Sequence, residues 1–125
     1  MNILKKTLAS LFVMMALTST SAMAAGAGDA KVRAAGEGAI AKMQEAVSLA
    51  EKGADKAEIL AALGDVRQLQ KEFRYEQTER LRQKAGDRLR MARDEVEKGD
   101  ANAKATLVAT LDIYKEMMTI YSAAH

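Results

Sequence analysis

The chain has 125 residues, with 19 basic and 17 acidic side chains, a single histidine, no cysteine and no proline. The lack of cysteine excludes disulfides, thiolate metal sites, thiol catalysis and haem attachment through Cys-x-x-Cys-His. Stability must come from packing, and a chain of this size supports one small core and one domain.

Residues 1–24 read as an export signal. Lys5 and Lys6 form a positive lead, Thr7 to Thr18 an apolar run, and Ala22-Met23-Ala24 a small-x-small cleavage site. The run is too short to span a hydrocarbon core, which takes roughly 20 residues. The expected mature chain is Ala25–His125, exported to the periplasm, with no lipid anchor because no Cys follows the site. Loss of Lys5 and Lys6 leaves 17 basic and 17 acidic residues. A neutral chain is not expected to bind nucleic acid, which calls for a net basic field.

Residues 25–31 are small and polar and read as a flexible lead-in. From Val32 the apolar residues fall at threes and fours (Ala35, Ala39/Ile40, Met43, Ala46/Val47, Ala50), one stripe of a helix over about 32–52. Lys52-Gly53 stops it, a cation at the negative end of the dipole followed by a residue free to take positive φ. Asp55-Lys56-Ala57-Glu58 has the pattern of a capping box. A second helix over 56–74 carries Ile59/Leu60, Leu63, Val66, Leu69/Gln70 and Phe73. A third over 78–98 carries Leu81, Ala85, Leu89, Ala92 and Val96. A fourth over 101–122 carries Leu107, Leu111, Tyr114, Met118 and Tyr121. Nothing alternates with period two, so the fold class is all-α.

Glu51-Lys52-Gly53 reappears as Glu97-Lys98-Gly99, and Ile59–Leu63 parallels Leu107–Leu111. The pattern predicts a duplicated helical hairpin forming an up-down-up-down four-helix bundle. The join between hairpins has no Pro or Gly-rich turn. The stripes on either side differ by roughly 80° at 100° per residue, which a turn near Arg74–Gln77 with Thr78 as N-cap explains. The competing arrangement runs one long helix through this point and needs a dimer to cover its apolar surface. The monomeric bundle is the preferred reading.

Few residues could carry chemistry. The lone histidine, His125, is terminal and reads as a disordered end or a weak metal ligand. Met43, Met91, Met117 and Met118 could offer thioethers to a soft ion, but scattered methionines more commonly fill gaps in an alanine-rich core. Glu72, Glu76 and Glu79, like Asp94, Glu95 and Glu97, have basic neighbours and read as solvated faces. The Glu-x-x-His pairs of a di-metal bundle are missing, as are an internal His for a hydrolytic triad and a Gly-rich phosphate loop. No cofactor and no enzymatic activity is expected.

The marked surface is the basic centre. Residues 67–93 hold nine Lys/Arg against four Asp/Glu, whereas both flanks are acidic. Arg74, Arg80, Arg82, Arg88, Arg90 and Arg93, with Tyr75, form a candidate surface for an anion, a lipid head group or an acidic protein, since the planar guanidinium binds oxyanions with two parallel bonds. The plain alternative is that these arginines pair with acids on neighbouring helices. Tyr114 and Tyr121 read as core.

The export signal and the two hairpins ended by Glu51-Lys52-Gly53 and Glu97-Lys98-Gly99 resemble small periplasmic four-helix bundles. These are the small metal-binding protein family and the soluble b-type cytochromes. The resemblance implies a four-helix bundle and a periplasmic address. It implies metal buffering in one case and a haem held between Met and His in the other. The ligands do not carry over: this chain has no internal His, and reads Tyr114-Lys115 where the cytochromes have Tyr-His on the last helix. The expectation is thus an exported, non-enzymatic binding protein acting through the basic centre or by weak metal binding. The alternative is a carrier of a small ligand or haem between its helices.

Overall fold

The structure is a computed structural model that describes residues 27–125, so the export signal expected over 1–24 lies outside the described residues. Four helices account for nearly all of them: α1 (Ala27–Glu51), α2 (Lys56–Glu72), α3 (Glu79–Lys98) and α4 (Ala103–Ala124), with one 3-10 turn over Glu76–Thr78. α1 starts at Ala27, so residues 27–31 are helix and not a flexible lead-in. Alanine has the highest helix propensity, and Asp29 in the first turn suits the positive end of the dipole.

Consecutive helices run antiparallel. Lys42 Nζ of α1 lies 3.3 Å from Asp65 Oδ2 of α2, and Lys31 lies 3.0 Å from Glu72 one end further along. Lys56 Nζ at the start of α2 donates to the Glu97 carbonyl at the end of α3, at 2.9 Å. The ring closes where Lys104 of α4 meets Glu51 of α1 at 3.7 Å, and where Met118 packs beside Gly36. Lys31–His125 form one compact unit, an all-α up-down four-helix arrangement.

The stripes read from sequence become the core. Ala35, Ala39, Met43 and Ala46 of α1 face Ile59, Leu63 and Val66 of α2, Ala85, Leu89, Ala92 and Val96 of α3, and Leu107, Leu111 and Tyr114 of α4. The small alanines of α1 and α3 let the backbones approach, and Met43, Leu63, Leu107 and Met117 fill the centre. In α4 the seam is set by Met117, with Met118 only half-buried, because Thr110 and Ile113 also turn inward and widen the apolar face. Thr110 is fully buried, and its hydroxyl donates to the Thr106 carbonyl at 2.7 Å.

Both Glu-Lys-Gly triplets close in the same way. Gly53 and Gly99 sit at φ 70° and 68°. Each donates to the carbonyl three residues back (Ala50, Val96), and the next residue donates to the carbonyl five back (Ala54 to Leu49, Asp100 to Glu95). This pair of bonds is the Schellman motif, and it satisfies the carbonyls that a helix end leaves open.

The starts of α2 and α3 differ from expectation. Asp55 precedes α2 but its side chain makes no cap hydrogen bond, so the capping box is not formed. Its carbonyl instead accepts from Glu58 and Ile59. Thr78 stands before α3 without capping it, because its buried hydroxyl is turned back to the Tyr75 carbonyl at 3.0 Å. That bond fixes the crossover: Phe73 leaves the helical region, Tyr75 is extended at φ −149°, and the chain re-enters helix at Glu79. The long-helix alternative is ruled out by this break.

Candidate anion-binding site

The basic centre does not form one patch. At 100° per residue, Arg80 lies opposite Leu89, the core residue of α3, and Arg88 and Arg90 lie on opposite flanks of it. Arg74 and Arg80 are exposed at the crossover end, and Arg88 is exposed on its own flank.

Arg82 turns inward. It is only 16% exposed and is paired with Glu79 by two bonds, one from Nε to Oε2 at 3.1 Å and one from the terminal nitrogen to Oε1. The hydrogen bond from Arg82 holds the Glu79 carboxyl below its ordinary range, with smaller help from the charges of Arg82 and Arg74. Tyr75 is also engaged elsewhere. Its ring meets Tyr121 edge-on at 5.2 Å and His125 at 5.1 Å.

The remaining two, Arg90 and Arg93, come together with a third from the facing helix. Between α2 and α3 lies a groove of about 270 Å³ lined by Arg67, Gln70, Gly86, Leu89, Arg90 and Arg93. No carboxylate lines it. Gly86, Arg90 and Arg93 sit roughly 40–100° round from Leu89, just beside the core stripe. α3 packs more extensively on α4 than on α2, which leaves this side open.

The donors here are largely uncommitted. Arg93 Nε is buried with no hydrogen-bond partner. Arg67 and Arg93 make no ion pair among the described residues, and Arg90 only a well-exposed one with Asp87 at 3.5 Å. A buried donor without a partner costs about 1–3 kcal/mol, and the rest of the Arg93 side chain lines the groove.

The inner wall is held from the core. The buried Tyr114 hydroxyl donates to Gln70 Oε1 at 2.5 Å, so the amide nitrogen of Gln70 is turned to the Gly86 side. Burial pushes the Tyr114 hydroxyl well above the ordinary tyrosine value, and Arg82 offsets this only partly. The phenol therefore stays a donor at all physiological pH.

The candidate soft ligands are not assembled. Met43 and Met117 are both buried, but Met118 is level with Gly36, which puts Met43 about 10 Å further along the bundle at 1.5 Å per residue. Met91 is exposed on the outside of α3. Among the described residues, no three His, Asp or Glu side chains form a metal-holding group. His125 is an ordered end and not a frayed one: its ring stacks on Tyr121 at 4.0 Å, with Nδ1 2.8 Å from the Tyr121 carbonyl. The aromatic stack accounts for that order, with Arg33 of α1 placed 5.4 Å from the centre of the Tyr121 ring.

Gln70 and Gly86 are the residues that sequence reasoning passed over as site residues, and Arg67 was noticed only as part of the basic stretch. The available signal was the i, i+4, i+7 spacing of Gly86, Arg90 and Arg93, which puts a glycine and two guanidiniums on one flank. Compared with known proteins, the chain matches no family model, no curated protein and no solved structure.

Proposed function

We propose that this is an exported, non-enzymatic helical-bundle protein that binds an anionic group through the α2–α3 face. The observation that carries the reading is the groove in which Arg67, Arg90 and Arg93 converge without an acid among them and Arg93 Nε is buried unpartnered. Guanidiniums already committed to carboxylates, as Arg82 is to Glu79, offer a ligand little. Arg67 and Arg93 remain available, and Arg90 is held only by an exposed pair with Asp87.

The export signal of residues 1–24 and the four-helix architecture support a periplasmic address, in line with the likeness to small periplasmic metal-binding and b-type cytochrome bundles. The ligand sets of those two families have no counterpart here. The groove is at the small end of ligand pockets, which run from roughly 300 Å³ upward, and so favours a small anion or an acidic side chain over a haem-sized guest.

The test compares two double variants for binding to an acidic peptide at low and moderate salt. Arg67→Gln with Arg93→Gln should lower affinity at least tenfold with helicity unchanged. Arg80→Gln with Arg88→Gln, which removes the same charge away from the groove, should lower it less than threefold. Equal losses in the two variants would reduce the effect to net charge and remove the site.

A further inference from the structure

Resting on that reading, we propose that the α2–α3 groove is a site for a phosphomonoester-type oxyanion, with Gln70 as a fourth donor oriented by Tyr114. No acidic side chain lines the groove, and its polar side chains are three arginines and Gln70. Arg67, Arg90 and Arg93 bring guanidinium forks, and Gln70 brings its amide nitrogen because Tyr114 occupies its oxygen. A carboxylate has two oxygens and satisfies two forks at most. A phosphate group offers three terminal oxygens, which suits three guanidiniums and an amide.

Charge points the same way. Three cations around a groove of about 270 Å³ repel one another, and a dianion relieves more of that repulsion than a monoanion. A neutral polar ligand such as a sugar hydroxyl brings donors of its own and would leave them facing donors.

Gly86 supplies the room. A Cβ at this position would stand 3.2 Å from Gln70 Nε2, tighter than ordinary contact. The Gln70 amide cannot swing aside without giving up the Tyr114 bond. Gly86 is thus the floor of the site, in the middle of a helix where alanine would otherwise be preferred by about 1 kcal/mol.

Titration calorimetry on the purified protein tests this, with inorganic phosphate, glycerol 3-phosphate and acetate as separate ligands at low ionic strength. Phosphate and glycerol 3-phosphate should bind at least tenfold more tightly than acetate, and glycerol 3-phosphate more tightly as its second proton is lost at about pH 6. Gly86→Ala should weaken phosphate binding at least fivefold while shifting the melting temperature little, because the helix-propensity gain offsets the strain on the Tyr114–Gln70 bond. Gln70→Glu, which sets an acceptor against the ligand, should abolish it.

A further arm uses phosphatidylcholine vesicles with and without phosphatidic acid. Vesicle capture competed by inorganic phosphate assigns the group to a lipid head, and soluble binding without capture assigns it to a free phosphomonoester. Capture that phosphate does not compete overturns the site. So does equal affinity for acetate and phosphate, or a Gly86→Ala variant that binds like the parent. If the acidic peptide still depends on Arg67 and Arg93 in that event, the broader reading survives and only the phosphate assignment falls.

Discussion

Tyr114 does two things that the same position filled by phenylalanine would not. Its ring belongs to the core, and its hydroxyl crosses to Gln70 on α2, 44 positions away in the chain. The folded state holds this phenol protonated above the ordinary value of 10.0, because burial opposes the charged form. The unfolded chain therefore loses that proton first. Stability from this group is fully present below pH 10 and is lost as pH rises beyond it, by about 1.4 kcal/mol per pH unit. Denaturant melts between pH 9 and pH 12 should show a steeper decline for the parent than for Tyr114→Phe. At neutral pH the variant should be weaker by about 1 kcal/mol, the net worth of one hydrogen bond.

Gly36 is a residue whose identity is dictated by two close neighbours on other elements. A Cβ there would come within 2.6 Å of the Phe73 ring and 2.7 Å of the Met118 sulfur. In α1 an alanine gains about 1 kcal/mol of helix propensity. Overpacking against an aromatic ring costs about 1–3 kcal/mol, so the loss should win. Gly36→Ala is expected to lower stability by roughly 1 kcal/mol in urea melts, whereas Gly86→Ala should be near neutral. The sequence shows both as glycines within helical stretches and cannot tell them apart, since the difference lies in which side chain of another helix stands opposite.

At the level of the elements, the endings were more legible than the beginnings. Glu-Lys-Gly is a local signal: a left-handed glycine terminates a helix whatever surrounds it, and both copies adopt the same two bonds. Replacing Gly53 or Gly99 by alanine puts a Cβ into that conformation at a cost of roughly 1–2 kcal/mol. The two variants should be destabilised equally by thermal melting, because neither glycine has an atom within 4 Å of the added carbon. The N-terminal signals were less faithful. Asp55 and Thr78 have the right residue types for caps, yet Thr78 is buried and its hydroxyl serves the crossover instead. Burial decided that outcome, and burial is a tertiary fact.

On the scale of the whole molecule, periodicity carried the architecture. Four stripes of apolar residues can be covered by pairing four helices, and the shift in phase between α2 and α3 required the break that Phe73–Thr78 provides. The site was only half legible. The sequence marks where the arginines cluster, and the i,i+3 spacing of Glu79 and Arg82 within α3 already shows one guanidinium spent, but that no acid stands beside Arg93 on the α2 side depends on the facing helix. The same cover of apolar stripes bears on assembly. The exposed large apolar side chains among the described residues are Met91 and Val108. Light scattering should return the mass of a monomer.

The aromatic stack at the crossover end has a topological consequence. Arg33, near the start of the compact unit, and His125, its last residue, both rest on the ring of Tyr121. The two ends of the fold therefore meet at one side chain, while the α3–α4 loop at Asp100–Asn102 lies exposed at the far pole. A few residues of linker would join the ends and free that loop to become new termini, making this bundle a candidate for circular permutation and for insertion into another protein's surface loop.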